Sequence, residues 1–165
     1  VPDFVVYPHA ALSRAATPRP VDDAMLQAGE RLLAAAKEAQ AYGLAAAHLG
    51  ENEPLVVMSM ASDPAQRDYR ILFSPEIIAV ADDTASGPEG SVSMPGIEVA
   101  VQRPVWAEIA YSDADGVRHS ERLEGFVARV ALHEIEQVNG IFFLSRVSRL
   151  KRDAALRKFD KSRRA

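Results

Sequence analysis

Apolar positions along this chain change period several times, and each change marks an element. From Pro18 to Gly43 the sequence is PRPVDDAMLQAGERLLAAAKEAQAYG. Met25, Leu32, Leu33, Ala36 and Ala39 recur there at helical spacing, which predicts a helix with one buried face. Pro20 near its start, Asp22 and Asp23 at its positive end and Gly43 as its stop agree. Helical period is then lost. Short apolar runs at 54–60 (PLVVMSM), 69–73 (YRILF) and 77–80 (IIAV) are separated by polar or Pro-containing turns and predict strands. VWAEIAY (105–111) and VRHSERL (117–123) flank SDADG, a hairpin signature. Residues 87–96, GPEGSVSMPG, read as a loop able to hold functional groups. GFVARVALHEIEQVNG (125–140) returns to helix and stops at Asn139 and Gly140, and Ser148 suits the N-cap of a last helix. The order predicts one α+β domain over residues 1–165, with mostly antiparallel strands around a central helix and helices toward both ends.

Composition adds limits. A chain of 165 residues, 48% hydrophobic and 25% charged, suits one domain with a real core. No apolar run approaches the ~20 residues that cross a bilayer. The opening VPDFVVYPHA has neither the basic start nor the apolar stretch of a signal peptide, and no Cys is present for disulfides or thiolate ligands. A cytoplasmic location and no membrane partner are expected. Charge is uneven: residues 1–145 hold ten Lys and Arg against 21 Asp and Glu, whereas the tail 146–165 holds nine against Asp153 and Asp160. Such a tail is either a solvated basic helix or a surface for an anionic partner such as RNA.

Candidate chemistry centres on HEIEQ. On a helix, residues 133 and 137 lie one turn apart and face the same point, yet His133 is followed there by Gln137. With GLAAAHLG (43–50) and EGSVSMPG (89–96), HEIEQVNG (133–140) resembles the peptide deformylase family, whose hallmarks are GxGLAAxQ, EGCLS and QHExDHLxG in that order. YPHAALSRAA, SPEII and GFVARV resemble flanking pieces of the same family, so the likeness spans nearly the whole chain. It implies a deformylase-like fold, a pocket for a peptide N-terminus and removal of the formyl group from N-terminal Met by a metal, usually Fe(II) or Zn. It also implies a C-terminal helix that docks to the ribosome.

Carried across residue by residue, the metal-binding Cys and two His of that family fall on Ser91, His133 and Gln137, so one ligand of three is kept. Glu134 matches the general acid/base. His48 stands at the Gln that stabilises the oxyanion, Leu132 replaces the Gln before the first His, and Glu136 replaces an Asp. Gly43, Leu44, Gly90, Ser91, Val92 and His133 are the implied pocket residues. A hydroxyl and an amide are poor donors for borderline-soft metals, and each lost ligand removes a few kcal/mol from a total near ~10–16. No cofactor is therefore expected, or at most a weakly held Zn, Fe or Ni at His133. The expectation is a deformylase-like protein without the usual metal-dependent activity that retains a peptide pocket.

The alternative is a working hydrolase. One form rebuilds the metal site from His48, His133 and Glu134 or Glu136. The other uses Ser91 as nucleophile and His133 as base in a metal-independent amidase or esterase, the two expected ~3.3–3.8 Å apart; no third residue is evident to orient the imidazole. Trp106 and Phe126 are assigned to the core, and His9 and His119 to solvent.

Overall fold

In the computed structural model, which describes residues 2–164, helix α1 (Asp23–Ala39) starts where Asp22 caps it, the carboxylate accepting from Met25 N–H at 2.9 Å. The helix stops at Gln40, which takes the left-handed conformation with φ 54°, and not at Gly43. Its buried stripe runs through Met25, Ala28, Leu32, Ala35 and Ala36, while Ala39 faces solvent. Gly43 instead opens strand β1 (Gly43–Ala45), which the sequence pattern had folded into the end of the helix.

Strand β2 (Leu55–Ser59) is buried at every residue, the physical reason its run is apolar without alternation. Leu55 and Val57 pack on α1 with Met25, Leu32 and Phe73. Val56 and Met58 pack on the opposite side with Leu72, Ile109, Ala131 and Ile135. The two predicted runs 69–73 and 77–80 form one strand, β3 (Tyr69–Val80), whose register shifts around Ser74, a residue at φ 44°. Strands β4 (Thr84–Glu89) and β5 (Val99–Pro104) pair as a separate two-stranded sheet, so the glycine-rich loop begins only after Glu89. Strands β6 (Trp106–Ser112) and β7 (Arg118–Glu124) form the expected hairpin. The larger sheet runs β1-β2-β3-β6-β7, antiparallel throughout.

Helix α2 (Gly125–Val138) lies at the centre, and Ala131 through Val138 are all buried. Four of those eight residues are polar: His133, Glu134, Glu136 and Gln137. Burying them without partners would cost several kcal/mol each, so each one's surroundings must account for it. Helix α3 (Arg149–Arg164) follows Ser148, whose hydroxyl accepts from Lys151 N–H at 3.2 Å. It packs through Ala155 and Phe159 onto Met94, Ile97, Phe143 and Leu144. No helix is long and apolar enough to cross a membrane, among the described residues. Val1 and Ala165, the ends of the predicted domain and tail, lie outside the described residues.

The Trp106 assignment changes, and three residues gain partners, two of them the exposed His9 and His119. Trp106 is only partly buried, and Arg122 lies over its ring at 4.0 Å. His9 caps a short 3-10 turn (Ala10–Ser13) by accepting from Ala11 N–H at 3.0 Å, and His119 Nε2 pairs with Asp113 at 2.7 Å. Arg146, counted with the tail, stays exposed but donates to the buried Glu136.

Candidate functional site

Strand β1, the end of β4 with its following loop, and α2 converge on a cavity of about 410 Å³. Gly43 is required where β1 crosses α2: a Cβ there would sit 2.8 Å from Val130 Cγ1 and 2.9 Å from Glu134 Cγ. His48, Glu89, Ser91, His133 and Glu134 supply polar lining, and Gly43, Gly90 and Val92 complete the rim. Leu44, expected in the pocket, instead points into the core beside Met25 and Leu32, because alternate residues of a strand face opposite sides. Phe126, assigned to the core, lines the cavity and meets Tyr42 edge to face at 4.8 Å. Arg129 and Val130, neither singled out by motif, also line it. Arg129 precedes His133 by four residues on α2, so helical spacing alone put the two on one face.

Glu89 is the residue on which the polar lining depends. Arg103 grips it at both oxygens, Nε to Oε2 and Nη2 to Oε1, each at 2.9 Å. Arg129 Nη1 donates to Oε2 at 2.8 Å and His133 Nδ1 lies 2.7 Å from Oε1. Burial alone would raise the Glu89 carboxyl, but hydrogen bonds from His133 and Arg103 outweigh it and hold the group at about 2. Burial likewise opposes charge on His133, yet Glu134 and Glu89 together raise its pKa and favour the imidazolium. Behind it, Arg103 and Arg146 both donate to Glu136.

Glu134 and His48 contrast with that lattice. Glu134 Oε1 and His48 Nε2 are buried with no hydrogen-bond partner among the described residues. Burial pushes the Glu134 carboxyl up to about 7, against the opposing pull of His133. His48 sits in a 3-10 turn (Ala46–Leu49), where its Nδ1 accepts from Ala45 N–H at 3.0 Å. Burial and the neighbouring His133 depress its pKa to about 3, so the ring is neutral and its proton lies on Nε2. Glu134 Oε1 is 3.9 Å from His48 Nδ1.

A resident divalent metal does not fit these donors. Gln137 does not line the cavity, and its Nε2 donates to the Leu12 carbonyl at 2.7 Å. Ser91 Oγ is a neutral hydroxyl that accepts from Ser93 N–H at 3.1 Å. Glu136 is committed to two guanidiniums, which removes it from the rebuilt ligand set considered from sequence. Among the described residues no three His, Asp or Glu side chains converge as a metal would need. No hydrogen bond links Ser91 to His133 among the described residues, but the missing third residue is present: Glu89 orients the imidazole. Glu89 stands inside the EGSVS stretch, but an acid beside a loop carries no sequence signal of its burial.

The comparisons with known proteins agree with this architecture. The family described as polypeptide deformylase matches residues 1–153. A peptide deformylase-like protein of Rhizobium meliloti is 39% identical over 144 residues, which is 87% of this chain and 82% of that one. A peptide deformylase of Agrobacterium fabrum is 32% identical over 145 residues, 88% of this chain and 85% of that one. The crystal structure of peptide deformylase from Ehrlichia chaffeensis superposes with a TM-score of 0.90 at 26% identity, covering 99% of this chain and 97% of that chain. With the sheet, the central helix and the three motif stretches in the same arrangement, the chain belongs to the peptide deformylase family.

Proposed function

We propose that this protein binds the N-terminus of a peptide in the 410 Å³ cavity without the family's metal-dependent hydrolysis. The observation that carries the reading is Gln137. At the position where a second imidazole would complete a ligand set, an amide is turned to the Leu12 carbonyl and acts as a structural tie. Ser91, at the thiolate position, is likewise occupied by its own loop. Meanwhile Gly43 and Gly90 keep main chain exposed along both rims, as pairing with an extended peptide requires. The buried His48 Nε2–H and Glu134 are left to meet ligand polar groups.

The test measures metal content, turnover and binding together on protein purified without added metal. The expected result is sub-stoichiometric Zn, Fe and Ni, no hydrolysis of formyl-Met-Ala and saturable binding of a formyl-Met peptide by calorimetry. Stoichiometric metal with turnover defeats the reading. The orientation of His133 by Glu89 favours one second reading, metal-free hydrolysis with Ser91 as nucleophile. Its signature is turnover that persists in chelator and disappears in Ser91→Ala. Against it stands the direction of the His133 pKa, which its acidic neighbours Glu134 and Glu89 raise, away from the free base such a mechanism needs.

The exposed residues of α3, among them Arg149, Lys151, Arg157, Lys158 and Lys161, support a further partner of opposite charge, which we propose is RNA. Charge-reversal of Arg157, Lys158 and Lys161 is expected to weaken ribosome or RNA binding and to reduce its salt dependence. Unchanged binding would leave α3 as a solubility feature.

A further inference from the structure

The cavity has one wall that neither motif nor mechanism uses. Arg129, one turn before His133 on α2, lays its guanidinium against strand β4 at Gly87. A Cβ at Gly87 would meet Arg129 Cζ and Nε at 2.9 Å, so glycine is what lets the fork lie flat there. Acceptors then fix it in place. Nη1 donates to Glu89 Oε2 and to the Val101 carbonyl, both at 2.8 Å, and Nη2 donates to the Ala85 carbonyl at 2.8 Å.

Counting donors shows what is left. A guanidinium carries five N–H groups. Both hydrogens of Nη1 and one of Nη2 are engaged, which leaves Nε–H and one Nη2–H without a partner among the described residues. Charge points the same way. Three guanidiniums, Arg103, Arg129 and Arg146, share two carboxylates, Glu89 and Glu136. Arg103 holds Glu89 at both oxygens and also reaches Glu136, while Arg129 shares only the Oε2 that Arg103 Nε already uses. The cation with the least compensation is therefore the one that lines the cavity. Around it the wall is apolar, built from Tyr42, Phe126, Val130 and Pro88. In that setting a hydrogen bond to a charged donor is worth more than at an open surface.

We propose that Arg129 is a specificity-determining residue, and that the cavity selects a peptide whose first side chain ends in an oxygen acceptor over one that is wholly apolar. A glutamate, a glutamine or a methionine sulfoxide offers such an oxygen, whereas an aliphatic side chain leaves the spare N–H groups desolvated and unpaired. The inference rests on the peptide-N-terminus reading given above and states which N-termini the site takes.

The experiment titrates the wild-type protein with N-formyl tripeptides that differ only in the first residue: norleucine, methionine, methionine sulfoxide and glutamate. Sulfoxide and glutamate peptides are expected to bind about tenfold more tightly than the norleucine peptide. In Arg129→Leu the order should reverse, and in Arg129→Lys the preference should shrink because the flat fork is lost. Equal affinities, or tighter norleucine binding by the wild type, would overturn the proposal even if neither variant folds. Binding of none of the four peptides would defeat the peptide reading itself, and this proposal with it. Binding of all four without discrimination defeats only the role of Arg129.

Discussion

Helix α2 carries two sets of buried polar side chains, and they are treated in opposite ways. On one side, Glu136 is held by Arg103 and Arg146, and Gln137 by the Leu12 carbonyl. On the other, Glu134 faces His48, and among the described residues an oxygen of the first and Nε2 of the second have no partner. The first pair ties the helix to β5, to the turn before α3 and to the N-terminal segment. The second pair lines a cavity. On this one helix the protein itself satisfies Glu136 and Gln137, whereas an oxygen of Glu134 is buried without a protein partner among the described residues.

The contrast breaks most sharply at Arg103, which is 3% exposed at its side chain. Arg103→Met leaves Glu89 to Arg129 and His133 and Glu136 to Arg146, with buried lone pairs unmatched, and a loss of about 1–3 kcal/mol in urea unfolding is expected. A loss below about 1 kcal/mol would show that the lattice is not what holds the cavity's rear wall.

A smaller effect sharpens the cavity-facing side. His48 has a folded pKa near 3, below its unfolded value, so its contribution is complete at neutral pH and is lost as pH falls from about 6.5 toward 3. Glu134 has a folded pKa near 7, above its unfolded value, so its contribution is complete in acid and is lost as pH rises from about 4.3 to 7. The two slopes oppose each other between about 4.3 and 6.5. Glu134→Gln should therefore leave a stability that climbs with pH in that window, and His48→Gln one that declines, each by up to about 1.4 kcal/mol per pH unit. Parallel profiles in the two variants would mean that the pair does not titrate as described. The charge-reversed α3 variant is expected to change unfolding by less than about 0.5 kcal/mol, since those side chains are exposed.

Much of this architecture was legible in the chain. The period of the apolar residues located α1, α2 and the β6–β7 hairpin because each of these elements repeats one local geometry. The doubly buried β2 was legible as an unbroken apolar run. What was missed lacks a local signature. Strand β1 is three residues long, and β4 reads TASGPE, with no apolar alternation because it packs in a two-stranded sheet against Arg129 rather than against a core. Phe126 looked like core because an aromatic on a helix is usually buried, and only the path of β1 opens a cavity beside it.

The sequence by itself determined the family, the three stretches that form the site and the identity of the residues at its metal-ligand positions. Those follow from residue type and spacing, which are properties of the chain. Only the tertiary structure decided what the polar residues do. It gave Gln137 the Leu12 carbonyl, 125 residues away, placed Glu89 between Arg103, Arg129 and His133, and left Glu134 and His48 unmatched. Whether a buried polar group is satisfied depends on partners that distant segments bring within about 3 Å, and no local pattern encodes that distance.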